Sequence, residues 1–317
     1  MLSRVADALY WMGRYVERAE NVTRLLLVTD DFATEALGLD ERLAESAWKD
    51  LFVIFPAAQV APTVPAFAPL ALPYLRDFFA FGKNPYSVSY SLRRARENAR
   101  GVREALTLEV YVVLNETHRA LEVWERKPPP DLPGLRDALT SVHRGVFSIV
   151  GTIDHTLPRD EGWLFLRLGE TLERLNRAAF VLRAKLPGLL VPPAASDVPL
   201  YQAGWRTLLR SLASLEHFRR IYGASLEPDT VVPFLLFDAQ SPRSLRYGAE
   251  ALKTHLEAIA GPHDNTPAAR LIGRLAAELR YTEDHLLKSP DFAAFLDHIT
   301  IEVGKIHDAL DARFFVT

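Results

Sequence analysis

Apolar residues return every third or fourth position through nearly all of this 317-residue chain, a spacing that suits helices and not pleated strands. The clearest run is Val5, Leu9, Met12, Val16, Ala19, Thr23 and Leu26, a heptad-like seam on one helix face. Similar patterns cover 84–126, 135–152, 162–186, 200–222, 241–260, 267–288 and 291–313. Asn-Gly and Asp-Gly, the dipeptides that mark tight hairpins, do not occur. The pattern predicts an all-α fold. Asn84-Pro85, Ser241-Pro242, Thr266-Pro267 and Ser289-Pro290 each offer a capping side chain followed by proline, whose missing donor is harmless at the first helical position. Proline clusters at 128–130 with Pro133, and from Pro187 to Pro199, predict helix ends and loops.

A second regularity is an internal repeat. An offset of 156 lays Gly13, Glu17, Arg18 and Leu26 on Gly169, Glu173, Arg174 and Leu182. An offset of 157 lays Trp48 on Trp205 and the segment Asn84–Tyr90 on Ser241–Tyr247. Several matches in one order at nearly one offset predict a helical bundle of two related units with a pseudo-two-fold repeat. The expected boundaries are 1–135 for the first unit, 136–154 for a connecting helix and 155–317 for the second, together forming one compact body.

Composition narrows the chemistry. With 49% hydrophobic and 24% charged residues the chain is an ordinary globular protein and not a disordered one. The absence of cysteine excludes disulfides, thiolate metal sites and a cysteine nucleophile. A net charge of −3 gives no bulk attraction to nucleic acid or acidic lipid. Arg4, Asp7, Arg14 and Glu17 interrupt any secretory-signal core at the start. Leu51 to Leu75 carries no charge, but five prolines inside it (56, 62, 65, 69 and 73) rule out a membrane helix. It reads as a helix end followed by an apolar proline-rich loop. A cytoplasmic protein without a membrane segment is expected.

The repeated element is Gly-x-x-x-Glu-Arg. Gly13 and Glu17 share a helix face, whereas Arg18 points about 100° away, so Glu17 and Arg18 cannot pair with each other. Glu20–Arg24, Glu170–Arg174 and Glu173–Arg177 have the spacing of intrahelical ion pairs. Two readings stand: a buried ionic network that fixes helix register, or a ligand-binding or catalytic carboxylate. In the first reading Glu17 would pair with Arg174 and Glu173 with Arg18 across the pseudo-two-fold, using the bidentate geometry of arginine. A second feature is a stripe of Arg93, Arg96, Arg100 and Arg103, which Arg93–Glu97 and Arg100–Glu104 would partly neutralise. It reads either as a face meeting solvent and carboxylates or as an anion site for phosphate or a substrate carboxylate. The second unit lacks this stripe, which points any binding function to the first.

Neither common phosphate-cradling glycine loop is present, so no nucleotide cofactor is expected. His-Glu-x-x-His and Glu-x-x-His are absent and the nine histidines stand singly, so no metal is expected. The stripe is short and lacks interleaved aromatics, which argues against nucleic acid. The candidate residues are therefore Arg14, Glu17, Arg18, Asn21, Arg96, Glu97, Asn98, Arg100, Glu173 and Arg174, with no catalytic role assigned to any.

The opening Met1–Asn21, with Gly13, Arg14, Glu17, Arg18 and Asn21, resembles the start of the bacterial alpha-E family, all-helical proteins named for a Glu-Arg motif. Asn84-Pro85-x-Ser87, the run Ala95–Arg100, Arg159–Trp163 leading into Leu168-Gly169, and Pro242–Ser244 extend the likeness along nearly the whole chain. Glu170 stands where the family has arginine, and Leu175-Asn176 replace its Ala-Asp. The resemblance implies association with a circularly permuted ATP-grasp amide ligase, with the ATP chemistry carried by that partner. The expected role is a helical accessory or substrate-binding subunit in peptide synthesis or modification, with homo-oligomerisation left open. The alternatives are an enzyme using Glu17 as base with Arg18, Arg96 or Arg100 holding a carboxylate, and a purely structural interaction module. A carboxylate among arginines is a weak base at neutral pH, which disfavours the enzyme.

Overall fold

A computed structural model describes residues 1–37, 41–55, 72, 75–193, 198–282, 289 and 291–315. Among them the secondary structure is entirely helical. The helices are α1 Ser3–Leu37, α2 Glu41–Ile54, α3 Val88–Gly101, α4 Leu108–Arg126, α5 Leu132–Thr156 and α6 Glu161–Leu189. They are followed by α7 Val198–Ser211, α8 Leu215–Tyr222, α9 Pro228–Phe237, α10 Leu245–Ala260, α11 Pro267–Tyr281 and α12 Phe292–Phe314. A π-helical turn spans Leu75–Ala80 and a 3₁₀ turn Arg103–Ala105. The expected proline-rich loop after residue 55 falls almost wholly outside the described residues.

Several boundaries differ from the pattern-based expectation, each for a local reason. The segment 84–126 breaks at Val102, because Thr107 caps a new helix by accepting from the Val110 amide. The segment 200–222 breaks at Ala213, whose φ of 50° ends α7 with Ser214 N donating to Leu209 O. Helix α9 was invisible to periodicity since nearly every side chain in Pro228–Phe237 is apolar and half of the helix is buried. Pro187 lies inside α6 near its end and does not terminate it.

Only Thr266-Pro267, of the capping pairs whose residues are all described, is a cap as expected. The caps at the other two such sites are Ser87 and Ser244, each accepting from an amide three residues on at 3.0 Å. Asn84 instead forms the preceding turn, accepting from Tyr86 N at 2.9 Å and donating to Phe78 O at 2.7 Å. Pro290 is outside the described residues.

By contact density the chain divides into two compact units: Met1–Lys49 with Ala57–Glu173 and Phe314–Thr317, and Asp50–Pro56 with Arg174–Arg313. In the first, α1 packs on α3 and α5, and α4 packs on α5. The seam Leu9, Met12, Val16, Ala19, Thr23 and Leu26 is buried there, and Val5 is half-buried. Gly145 of α5 lets Thr117 of α4 approach so closely that a Cβ would stand 2.6 Å from its methyl group. The helix expected as a connector, 136–154, is the body of α5 and belongs to this unit. In the second unit α10 packs on α9 and α11, and Trp205, Phe218 and Phe234 are fully buried.

Candidate functional site

The motif glycines place α1 and α6 in backbone contact. A Cβ on Gly13 would overlap the Leu166 carbonyl oxygen, and one on Gly169 would overlap that of Tyr10. The two contacts are reciprocal: each residue of one pair sits 156 positions from its counterpart in the other. Such an approach needs glycine on both helices.

One turn beyond, Glu173 of α6 lies fully buried and faces two guanidiniums of α1. Arg18 forks onto it, Nε to Oε1 at 2.7 Å and Nη2 to Oε2 at 2.9 Å. Arg14 adds Nε to Oε2 at 2.9 Å and Nη2 to the same oxygen at 2.8 Å. Arg14 also stacks on Trp11 with Cζ 4.9 Å from the ring centroid. Burial opposes its charge, but Tyr10 and Glu173 outweigh that and hold the guanidinium above its ordinary, already high value. The expected Glu173–Arg18 pair is therefore present, and Arg14 joins it. Arg14 takes the acid because it lies one turn from Arg18 on the same face. The Glu17–Arg174 pair would join residues of different units and stays an expectation.

Glu17 is buried and accepts from Asn21 Nδ2 at 3.0 Å, while that nitrogen also donates to the Glu17 carbonyl at 2.8 Å. Glu20 pairs with Arg24 as expected and also meets His143 of α5 at 3.2 Å. Glu170 accepts from Arg167 at 2.7 Å.

The basic stripe of α3 pairs differently from expectation. Arg93 reaches Glu125 of α4 at 3.1 Å and Arg94 takes Glu97 at 2.8 Å, so there is no Arg93–Glu97 pair. Arg96 donates to Asn115 of α4 at 2.6 Å. Arg103 lies over the Tyr111 ring at 4.8 Å, and Arg100 is exposed without the expected Glu104 partner. The α4 helix packs along this face and supplies Glu125, Asn115 and Tyr111 to Arg93, Arg96 and Arg103. Asn98 keeps its Nδ2 buried without a hydrogen-bond partner. Arg93, Arg96 and Arg103 thus serve the α3–α4 packing, whereas Glu97 pairs with Arg94 over Tyr15.

Sequence reasoning missed an aromatic layer beside the node. Trp11 stacks on Tyr15 with centroids 5.3 Å apart, and Tyr15 meets Tyr90 of α3 edge-on at 6.1 Å. Arg18 and Arg94 lie over Tyr15 at 5.2 and 6.0 Å. Trp11, Tyr15 and Arg18, at positions i, i+4 and i+7 of α1, were the available signal.

Among the described residues, no three His, Asp or Glu side chains converge to hold a metal ion, and no helix is long and apolar enough to cross a membrane.

Residues 1–315 match the Alpha-E family, described as a predicted alpha-helical domain with a conserved ER motif. Relatives include uncharacterized proteins of Mycobacterium bovis and Mycobacterium tuberculosis, 29% identical over 97% of this chain. The chain spans only 35% of their length. No solved structure matches it. A family model matched over nearly the whole length shows the family, and the chain belongs to the Alpha-E family.

Proposed function

We propose that this protein is a helical accessory or substrate-binding subunit that acts with an ATP-grasp-type peptide or amide ligase in peptide synthesis or modification. One observation carries the non-catalytic part of this reading: the motif acid Glu173 is fully buried and held by four close contacts from Arg14 and Arg18. A carboxylate so enclosed neither reaches a substrate nor accepts a proton readily. The motif therefore fixes the α1–α6 register, and ATP chemistry falls to the partner. Mycobacterial relatives nearly three times as long support this, since there the matched region is joined to further sequence. The cytoplasm, where a ligase finds ATP, is the expected location.

The same reading takes the chain as a duplicated helical unit. Its support is the reciprocal contact of Gly13 and Gly169 at one offset, and the matching caps Ser87 and Ser244 at 157.

Co-expression of the chain with a circularly permuted ATP-grasp ligase tests the proposal, with Glu17→Gln and Arg18→Lys alongside. A stable complex or a changed ligase turnover is expected from the wild type. The absence of both a complex and a change in turnover overturns it, and would leave the burial of the motif favouring a structural module.

A further inference from the structure

The node leaves unused a donor-rich patch on its α3 side. Arg94 projects about 100° away from Arg93 on α3, toward α1, where the Tyr15 ring lies beneath it. Its carboxylate is Glu97, one turn on, and both side chains are nearly half exposed, at 45% and 49%. Such a surface pair is worth little and exchanges readily for another anion. The Tyr15 hydroxyl accepts from Arg94 and neighbours the Tyr90 hydroxyl. Burial, and next the Tyr15 neighbour, push the Tyr90 phenol above its ordinary value, so it remains a neutral donor through the physiological range. Arg18, across the Tyr15 ring, is held by Glu173 and adds positive potential without moving.

The repeat separates this patch from the scaffold. Gly13, Glu17, Arg18 and Tyr90 have counterparts Gly169, Glu173, Arg174 and Tyr247, whereas Tyr15 and Arg94 correspond to Thr171 and Ala251. Helix crossing thus does not require a tyrosine and an arginine at these places. Their combination is single-copy: Arg94 is exposed, Tyr90 is half-buried and Tyr15 lies buried beneath the guanidinium, so a planar fork with phenol hydroxyls beside it matches an oxyanion.

We infer that Arg94, with the hydroxyls of Tyr15 and Tyr90, forms a recognition site for a terminal oxyanion, either the carboxylate of a peptide or a phosphate group. This deepens the accessory-subunit reading by naming what a substrate presents, and rests on that reading only for the ligand's origin.

The test is titration of the intact chain at constant ionic strength with inorganic phosphate, acetylglycine and, as neutral control, acetylglycine amide, following Arg Nε–H and Tyr ring signals by NMR. A saturable response to phosphate or acetylglycine, absent with the amide, is expected. A response to phosphate alone assigns a phosphoryl group, and a response to acetylglycine alone assigns a peptide terminus. Arg94→Gln should weaken binding about tenfold, as for loss of a charge-assisted fork. Glu97→Gln, which removes the competing carboxylate, should tighten it about two- to fivefold, and it keeps the test decisive if Arg94→Gln fails to fold. No saturable response to either anion, an equal response to the amide, or binding indifferent to both substitutions overturns the site. A failed ligase complex with intact anion binding overturns the accessory role and leaves the site standing.

Discussion

Alanine at Gly169 should destabilise the protein, although at an open helical position the same change gains about 1 kcal/mol. The new Cβ would overlap the Tyr10 carbonyl oxygen and stand 2.9 Å from its carbonyl carbon. That is about 0.6 Å inside the ~3.5 Å lower edge of favourable carbon–carbon contact. The obstacle is helical backbone, which cannot swing aside, so α1 and α6 must part. Overpacking of this kind costs about 1–3 kcal/mol. Separation by even half an ångström stretches the Arg18–Glu173 bonds from 2.7 and 2.9 Å to or beyond the ordinary limit of about 3.2 Å. Weakened pairing of a buried carboxylate adds to the loss, with about 3–5 kcal/mol as the ceiling for a broken pair. After the propensity gain is subtracted, a net loss of roughly 2–5 kcal/mol is expected. Urea unfolding followed by far-UV circular dichroism measures it. Gly151→Ala and Gly273→Ala are the controls: both lie in helices with nothing within 4 Å of a new Cβ, and both should gain about 0.5–1 kcal/mol. A Gly169→Ala protein with an unfolding midpoint at or above that of the wild type would refute the close-contact argument.

Glu173→Gln keeps the shape of the node but leaves Arg14 and Arg18 facing a neutral amide. A loss of about 3 kcal/mol or more in the same unfolding assay is expected, and a loss below about 1 kcal/mol would show that the charge is unimportant. Ala213→Gly should stabilise by about 0.5–1 kcal/mol, since alanine at φ 50° carries a left-handed penalty that exceeds the extra chain entropy of glycine; unchanged or reduced stability counts against it. His118 is buried, and burial, followed by the opposing pull of Glu122 and the push of Arg96, lowers its pKa. The unfolded chain then binds the proton first, near pH 6.5, so stability should fall as pH drops from about 6.5 toward the folded value. Above that window His118 contributes no slope, and a His118→Gln protein with an unaltered pH dependence would rule the effect out.

What the chain disclosed in advance was whatever depends on spacing along one helix. The α1 seam from Leu9 to Leu26, the divergence of Glu17 from Arg18 and the Glu20–Arg24 pair follow from a 100° rotation per residue, and all are present. The Arg18–Glu173 pair was legible because a repeat offset supplies long-range information that periodicity lacks. What depends on a neighbouring helix was not legible. Arg93 could reach Glu97 on its own helix or Glu125 on α4, and only the packing of α3 against α4 decides for Glu125. Asn84-Pro85 has the chemistry of a cap, but Ser87 takes that role because the intervening residues close a turn first. Ala213 offers no glycine signal for the break it makes, and α9 is too uniformly apolar to show a period. The Tyr15–Tyr90–Arg94 group was missed for a related reason: Arg94 stands off the regular stripe, and its partners lie on α1.

These failures bear on where function resides in the molecule. Gly13 and Gly169, which correspond at an offset of 156, are both explained by the crossing of two helices at glycine. Charge buried at such a crossing gains register from its geometry and loses chemical availability to its burial, as Glu173 shows. Glu173, enclosed in this way, is a poor place to look for a reacting group. Groups that break the repeat while staying on the surface answer to a different constraint. Exposed Arg94 meets that description, and it lies over Tyr15, a buried residue of the motif helix that Arg18 flanks. A ligand bound there would rest on a platform whose position the buried node fixes, so substitutions in the node should alter binding by displacing α1 and not by removing a contact. Arg18→Lys separates the two effects: it keeps the charge beside Tyr15 but breaks the fork onto Glu173. Loss of anion binding together with stability assigns Arg18 to positioning, whereas loss of binding with stability unchanged would make it a direct ligand contact.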